Sequence, residues 1–198
     1  RLGQDASLRQ LVQEKGLLVY DEKTPSGIIH IGSGRGWIIH DALAKALRAR
    51  DLPASFVLSS DDYDPYDKSN KDLDRAQWDR YLGMPFCDIP SPVAGFTSFG
   101  DYFFKESTQH FQKLGIECEL ESTAENYRRG LFNAQIKTVL DNADGIVEIF
   151  RDMYGDTAVG AGKLPFNVKC PQCGRISTTI SREWDRGREL IHYNCEDG

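Results

Sequence analysis

Thr24–Ser33 is the segment of this chain whose residue types best suit phosphate chemistry. It follows a short apolar run, Leu17-Leu18-Val19-Tyr20, that is typical of a buried parallel strand, and it precedes residues with helical apolar spacing. A helix N-terminus presents unpaired backbone N–H groups and partial positive charge, which suits a triphosphate. His30 can donate a hydrogen bond to phosphate oxygens, and Gly32 lets a flat adenine approach the backbone closely.

The same segment has an ordinary alternative. Pro25-Ser26-Gly27 is a common turn sequence ahead of a helix, with Gly27 free to take a positive φ, and an isolated His-x-Gly occurs by chance in many proteins. Taken alone, these residues leave a plain turn and a phosphate-binding loop equally open. The agreement of strand, turn, helix and His–Gly spacing favours the phosphate-binding loop.

Four carboxylates follow the next apolar run, Ala54–Ser59, so they are predicted to lie at the ligand-binding edge of the same sheet. They are Asp61, Asp62, Asp64 and Asp67. Such a group can hold a metal ion or an ammonium group through charge-assisted hydrogen bonds, and lysine carries two ammonium groups. The alternative is a solvated acidic loop in which an Asp caps a helix and Pro65 forms a turn.

Three cysteines near the C-terminus have metal-binding spacing. Cys170 and Cys173 are three residues apart, and Cys195 follows an alternating stretch from Glu189 to Tyr193. Thiolates at this spacing suit one tetrahedral zinc ion, which needs four ligands, and His192 is a possible fourth. The alternative is three free cysteines.

Composition indicates an ordinary globular chain of 198 residues, with 40% hydrophobic and 27% charged residues. A net charge of −6 argues against a dedicated nucleic-acid module, although it does not exclude a local basic patch. No apolar stretch is long enough to span a membrane and the N-terminus lacks the apolar core of a signal peptide, so a cytoplasmic location is expected. The first residue is not Met, which indicates processing or a longer parent. The odd cysteine count argues against a disulfide framework, and Cys87 and Cys118 are expected as small buried hydrophobes.

The order strand, loop, helix from about His30, strand predicts the opening βαβ unit of an α/β doubly wound parallel sheet. Further helices are predicted over Asp74–Leu82, Ser98–Leu114 and Phe132–Tyr154, the last with a possible break at Gly145, and a strand over Ile116–Leu120. A boundary is marked by Gly155, Gly160, Gly162 and Pro165. We therefore predict two domains, a nucleotide-binding domain over 1–165 and a small metal ribbon over 166–198.

Pro25-Ser26-Gly27-x-x-His30-Ile31-Gly32 resembles the first signature of class I aminoacyl-tRNA synthetases, usually written His-Ile-Gly-His. Ser33 stands in place of the second His, as in class I lysyl enzymes, which accept Asn or Ser there. Asp61-Asp62-Tyr63-Asp64 resembles the corresponding stretch of archaeal-type class I lysyl-tRNA synthetases. The similarity continues through Tyr81–Pro85, Ile89–Pro92, Leu114–Ile116 and Tyr127–Gly130.

This resemblance implies a Rossmann-like catalytic domain with a helical insertion and a truncated zinc-ribbon insert. It implies activation of lysine with ATP and Mg²⁺ to lysyl-adenylate, followed by transfer to tRNA(Lys). The implied catalytic residues are His30 and Ser33, and Thr24, Asp62 and Tyr63 are the implied lysine ligands. The implied ATP-binding residues are Thr24, Pro25, Ser26, Gly27, His30, Gly32 and Ser33. Zn²⁺ is expected on Cys170, Cys173 and Cys195, with a fourth ligand beyond Gly198.

The family's second signature, Lys-Met-Ser-Lys-Ser, and its anticodon-binding domain are not found in these residues, so weak substrate binding or inactivity of this piece alone is expected. Two other functions stay open. One is a nucleotidyltransferase of the wider superfamily, which would accept ATP but not lysine. The other is a non-catalytic synthetase-like module that binds an amino acid or tRNA. His40 and His110 are expected to be packing or surface histidines rather than catalysts.

Overall fold

The structure, a computed structural model, describes residues 6–155 and 162–197. The helices are α1 Ala6–Lys15, α2 Ile31–Arg48, α3 Arg75–Trp78, α4 Phe99–Thr108, α5 Phe111–Leu114, α6 Thr123–Arg128, α7 Asn133–Asp141 and α8 Ala143–Tyr154. The strands are β1 Leu17–Lys23, β2 Ala54–Ser60, β3 Glu119–Ser122, β4 Thr179–Asp185 and β5 Leu190–Cys195. Short 3₁₀ turns lie at Asp79–Tyr81 and Phe86–Asp88. Gly160, one of the residues that mark the predicted boundary, lies outside the described residues.

The chain divides into two compact units. The first contains the described residues up to Asp62 together with Pro90–Ala124. The second contains Tyr63–Ile89 and the described residues from Glu125 onward. The domain division at residue 165, drawn from composition, stays a prediction.

A three-stranded parallel sheet with the order β1-β2-β3 forms the centre of the first unit. The chain passes from β1 through α2 to β2, so the predicted βαβ unit is confirmed. β1 continues three residues further than predicted, to Lys23, and the third strand is Glu119–Ser122 rather than Ile116–Leu120. Ile116 is instead a buried core residue ahead of that strand.

One face of this sheet carries the core of the first unit. Val19, Phe56 and Leu58 point to the same face because strand side chains alternate. Trp37 and Ala44 meet them from α2, seven residues apart and therefore on one side of the helix. Phe104, Phe111 and Ile116 complete the cluster, and the ring of Phe111 meets that of Trp37 edge-on at 5.0 Å.

Two predicted helices are broken at places that apolar spacing does not reveal. The helix predicted over Ser98–Leu114 stops at Thr108, whose hydroxyl, like that of Ser107, donates to the carbonyl four residues earlier. The break in the helix predicted over Phe132–Tyr154 lies at Asn142 and not at Gly145, so the prediction of Gly145 was wrong. The side-chain amide of Asn142 donates to the Thr138 carbonyl and so competes with the backbone pattern at that position.

The second unit contains an antiparallel hairpin of β4 and β5 preceded by the cysteine turn Cys170–Gly174. The predicted alternating stretch from Glu189 to Tyr193 falls mostly within β5. Cys87 and Cys118 are only partly buried, which corrects the expectation that they are buried hydrophobes. Within the described residues, no helix combines the length and the apolar character that crossing a membrane requires.

The core assignment can be tested with two leucines of the parallel strands. Leu58 is 0% exposed whereas Leu18, on the other face, is 63% exposed. We expect Leu58→Ala to lower the free energy of unfolding by about 2–5 kcal/mol, because it removes buried methyl groups and leaves a cavity. Leu18→Ala is the matched control and is expected to change it by less than about 1 kcal/mol. Urea titration followed by circular dichroism measures both, and equal effects would contradict the assigned core.

Candidate active site

The carboxyl ends of the three parallel strands lie side by side. Lys23 of β1 is in register with Ser60 of β2, which is in register with Ser122 of β3. The segments that follow these residues therefore leave the sheet at one edge. In open α/β sheets this edge is where ligands bind.

The loop from Thr24 to His30 leaves this edge after β1 and leads into α2. Pro25 is fully buried and holds the start of the loop, while Ser26 and His30 are exposed. The loop thus presents its polar side chains outward from an anchored base. Thr24 and Gly27 are half-buried within it.

His30 is the capping residue at the N-terminus of α2, with an extended backbone at φ −84° and ψ 159°. Its side chain makes no capping hydrogen bond, while its carbonyl accepts from the Ser33 N–H at 3.0 Å. A Cβ atom on Gly32 would lie 2.9 Å from His30 Nδ1, so the glycine leaves the space that the imidazole occupies. An exposed imidazole beside an 18-residue helix N-terminus is an arrangement suited to an anion.

A cavity of about 340 Å³ lies beside the first turns of α2. Its lining includes Gly32 and Ser33 from the predicted ATP-binding residues, and Glu22 and Lys23 from the end of β1. Asp21 and His40 also line it. The structure therefore brings part of the predicted loop together with residues of β1 and α2 that its motif did not include.

Asp62 is a buried carboxylate whose two oxygens are both hydrogen-bonded within the first unit. One oxygen accepts from the Ser122 hydroxyl at 2.6 Å and the other from the Ala124 N–H at 2.8 Å. These bonds hold the end of β2 against the end of β3 and the start of α6. Each carboxylate oxygen has a further lone pair, so Asp62 keeps capacity to accept another donor.

Of the four clustered carboxylates, Asp62 alone is buried. Asp61 begins the turn with its N–H donating to the Lys23 carbonyl, and Asp64 accepts from the Phe86 N–H through its backbone carbonyl. Asp67 is exposed. The cluster is therefore spread over different environments, and the structure does not converge the four carboxylates on one point as a metal group.

Tyr63 follows Asp62 in the chain but belongs to the second unit. Its ring stacks on that of Tyr127, with centroids 4.8 Å apart. Burial raises the pKa of the Tyr63 hydroxyl above its ordinary value, so the phenol keeps its proton and can donate a hydrogen bond.

The three predicted zinc ligands converge. The sulfur atoms of Cys170, Cys173 and Cys195 lie within 4.8 Å of one another, and those of Cys173 and Cys195 are 3.6 Å apart. A hydrogen bond from the Cys173 backbone N–H lowers the pKa of the Cys170 thiol to about 7, which favours the thiolate that binds metal. The hydroxyl of Thr178 lies 3.4 Å from the Cys195 sulfur.

His192, the possible fourth ligand, does not join this group. It is exposed on β5, where it pairs with Glu183 of β4. In the described ranges 6–155 and 162–197, the group of potential ligand side chains contains the three cysteines and no further His, Cys, Asp or Glu.

Several contacts of the site were missed by sequence reasoning. Ser122, which binds Asp62, was outside the predicted third strand because that strand was placed too early. Thr123 was also missed, although its hydroxyl lies 3.1 Å from that of Ser59 and 3.4 Å from a Glu22 oxygen. A small polar pair, Ser-Thr, at the end of a short strand is the signal that could have indicated both.

Residues 6–198 match the family model described as tRNA synthetases class I (K). A lysine-tRNA ligase of Methanocaldococcus jannaschii is 31% identical over 195 residues, which cover 97% of this chain and 36% of that protein. A lysine-tRNA ligase of Methanosarcina barkeri is 34% identical over 175 residues, which cover 88% of this chain and 32% of that protein. A lysine-tRNA ligase of Pyrococcus horikoshii is 28% identical over 197 residues, which cover 98% of this chain and 37% of that protein.

The chain therefore belongs to the class I (K) family of tRNA synthetases, and the resemblance read from its motifs is confirmed. It spans about a third of the length of the curated relatives it matches.

The role of the Asp62 contacts can be tested by stability. We expect Asp62→Ala to lower the free energy of unfolding by about 1–3 kcal/mol, because the buried Ala124 N–H loses its acceptor. Ser122→Ala, which removes one donor and leaves the second bond to Asp62, should cost about 1 kcal/mol. Asp67→Ala, at an exposed position of the same acidic cluster, is the control. A loss for Asp62→Ala no larger than for Asp67→Ala would contradict the anchoring role.

Proposed function

We propose that this chain carries the ATP- and lysine-binding part of a class I lysine-tRNA ligase. The observation that carries the proposal is the match of nearly the whole chain to lysine-tRNA ligases, with the His30–Gly32 element at the N-terminus of α2. The proposed fold is a Rossmann-like doubly wound sheet, of which the parallel β1-β2-β3 sheet with α2 is the supporting part.

In the proposed first step, a carboxylate oxygen of lysine attacks the α-phosphorus of ATP. A new P–O bond forms as the bond to pyrophosphate breaks, and lysyl-adenylate and pyrophosphate are the products. His30 donates a hydrogen bond to the phosphate oxygens as charge builds on them, and the N–H groups of the first turn of α2 stabilise the same charge. Ser33, in the position of the usual second His, supplies a hydroxyl to the phosphates.

The ATP subsite is proposed to use Thr24, Pro25, Ser26, Gly27, His30, Gly32 and Ser33. Pro25 is buried and anchors the loop, so its role is to hold the exposed residues in place. Mg²⁺ bound with ATP would neutralise phosphate charge, and the phosphates themselves would be its main ligands.

The lysine subsite is proposed to use Thr24, Asp62 and Tyr63. Asp62 fits a cationic partner because both of its oxygens keep a lone pair after the bonds from Ser122 and Ala124. Tyr63 contributes a protonated hydroxyl as a hydrogen-bond donor. In the second step the lysyl group passes from the adenylate to the terminal ribose hydroxyl of tRNA(Lys), with release of AMP.

The cysteine group is proposed to hold a structural Zn²⁺ ion in a zinc ribbon formed by the Cys170–Gly174 turn and the β4–β5 hairpin. Tetrahedral zinc with Zn–S bonds of about 2.3 Å separates its sulfur atoms by about 3.8 Å, and the 3.6 Å between Cys173 and Cys195 is close to that value. All-sulfur donors with a lowered thiol pKa fit zinc.

Lysine-dependent ATP–pyrophosphate exchange on the full-length product of the gene tests the activity. We expect exchange with lysine but not with glutamate, arginine or tryptophan. His30→Ala should lower the rate about a hundredfold or more, because a donor to the developing charge is lost. His110→Ala, at an exposed residue ahead of α5, is the control and should leave the rate unchanged.

Other outcomes of this assay identify the alternatives. Exchange with a different amino acid would keep the class and overturn the substrate. ATP binding without any amino-acid dependence would indicate a nucleotidyltransferase. Lysine binding without exchange, with folded protein and tRNA present, would indicate a non-catalytic binding module.

Metal analysis tests the cysteine site. We expect about one zinc ion per chain by mass spectrometry of protein purified from zinc-supplemented medium. Cys173→Ser should reduce this content severalfold and lower the melting temperature. The control is Cys118→Ser, because burial raises the pKa of the Cys118 thiol to about 11 and it lies outside the group of three. Zinc-free wild-type protein with an unchanged melting temperature after chelation would refute the site.

A further inference from the structure

Asp21 and His40 form a contact between the end of β1 and the third turn of α2. One carboxylate oxygen of Asp21 lies 3.1 Å from His40 Nδ1. The same nitrogen lies 2.8 Å from the Gly36 carbonyl oxygen. The other carboxylate oxygen of Asp21 accepts from the Glu22 N–H at 2.9 Å.

These partners determine which ring nitrogen carries the proton. A carboxylate and a backbone carbonyl can only accept hydrogen bonds, so Nδ1 carries the proton; its single N–H bonds to the Gly36 carbonyl and faces the Asp21 carboxylate. The Gly36 carbonyl and the Asp21 carboxylate together favour the tautomer of His40 that has its proton on Nδ1. Two acceptors therefore orient the His40 ring, in addition to its packing.

The face of the His40 ring also has a partner. It stacks on Phe56 of the core, with centroids 5.8 Å apart and planes inclined by 29°. Gly36 allows the carboxylate to come this close, because a Cβ atom there would lie 3.1 Å from the same Asp21 oxygen. Asp21, Gly36 and His40 therefore form a compact fit between the strand and the helix.

This contact borders the cavity beside the first turns of α2. Asp21, His40, Gly32 and Ser33 line one cavity of about 340 Å³. The Thr24–His30 loop connects β1 to α2 and can shift if the helix moves relative to the strand. The contact between Asp21 and His40 restrains that movement, because it joins the strand to the helix less than three turns from His30.

We propose that Asp21 and His40 are positioning residues that hold the first turn of α2, and with it Gly32 and Ser33, in the geometry that receives the ATP phosphates. This inference rests on the proposed function and goes beyond it, because neither residue belongs to the synthetase signature. Neither needs to touch ATP. Their effect is on the placement of the N–H groups that do.

Three variants of the full-length gene product separate positioning from packing. His40→Phe keeps the aromatic ring on Phe56 and removes the donor. His40→Asn keeps a donor near the position of Nδ1. Asp21→Asn weakens the acceptor. His110→Phe, at an exposed histidine of the same unit, is the matched control.

We expect His40→Phe to raise the ATP dissociation constant and the ATP KM about threefold to tenfold, the effect of losing one hydrogen bond. The lysine dissociation constant should change less than about twofold. His40→Asn should restore ATP binding to near the wild-type value. In the double variant with Asp21→Asn the losses should not add, because both changes break the same contact.

A spectroscopic readout keeps the inference testable whether or not the protein binds ATP. In protein labelled with ¹⁵N-glycine, His40→Phe and Asp21→Asn should shift the Gly32 amide resonance, whereas His110→Phe should not. An unmoved Gly32 resonance would overturn the inference. So would equal losses for ATP and lysine accompanied by a lower melting temperature, which would mark the pair as merely structural. Failure of the wild-type protein to bind ATP, with the Gly32 shift present, would instead overturn the proposed function.

Discussion

Lys23, Ser60 and Ser122 stand side by side because β1, β2 and β3 are parallel and share one register. In a parallel sheet every strand ends at the same edge, so three segments remote in sequence leave the sheet together. A slip of one residue in any strand would turn its core side chains, such as Phe56 and Leu58, to the opposite face. Burial of that core therefore also fixes which residues stand at the edge.

The carboxylate of Asp62 shows how this edge is held. A buried ionised group is costly unless it is hydrogen-bonded, and here the Ser122 hydroxyl and the Ala124 N–H provide the bonds. Both donors come from the segment that follows or ends β3, which is a strand of only four residues. A strand this short is aligned by the contacts of Asp62 at its end as much as by its backbone hydrogen bonds to β2. A residue proposed to bind lysine thus also joins two strands.

Much of the first unit could be predicted from the sequence because its signals are local. The apolar run at Leu17–Tyr20, the helical spacing from Trp37 and the run at Ala54–Ser59 each specify one element, and their order gives the βαβ unit. The third strand was misplaced because Ile116, an apolar residue, packs in the core ahead of the strand and is not part of it. The site was predicted only in part for a similar reason. The partners of Asp62 are 60 and 62 residues distant in the chain, and no spacing rule reveals them.

In the second unit, a segment that resembles the synthetase family supports the cysteine turn. The segment Tyr81–Pro85 has no proposed role in catalysis, yet the Gly83 carbonyl accepts from the Ile176 N–H at 2.7 Å, next to the cysteine turn. Gly83 has a φ of +86°, and a Cβ atom there would lie 2.3 Å from the Ser177 hydroxyl, so a side chain at this position would be strained and would displace that hydroxyl. The Arg175 guanidinium donates to the carbonyl of Leu82 on this segment and to that of Arg80 just before it. Because Arg175 also accepts the Cys170 N–H through its carbonyl, this glycine-dependent contact holds the turn that presents the Cys170 and Cys173 thiols to a metal.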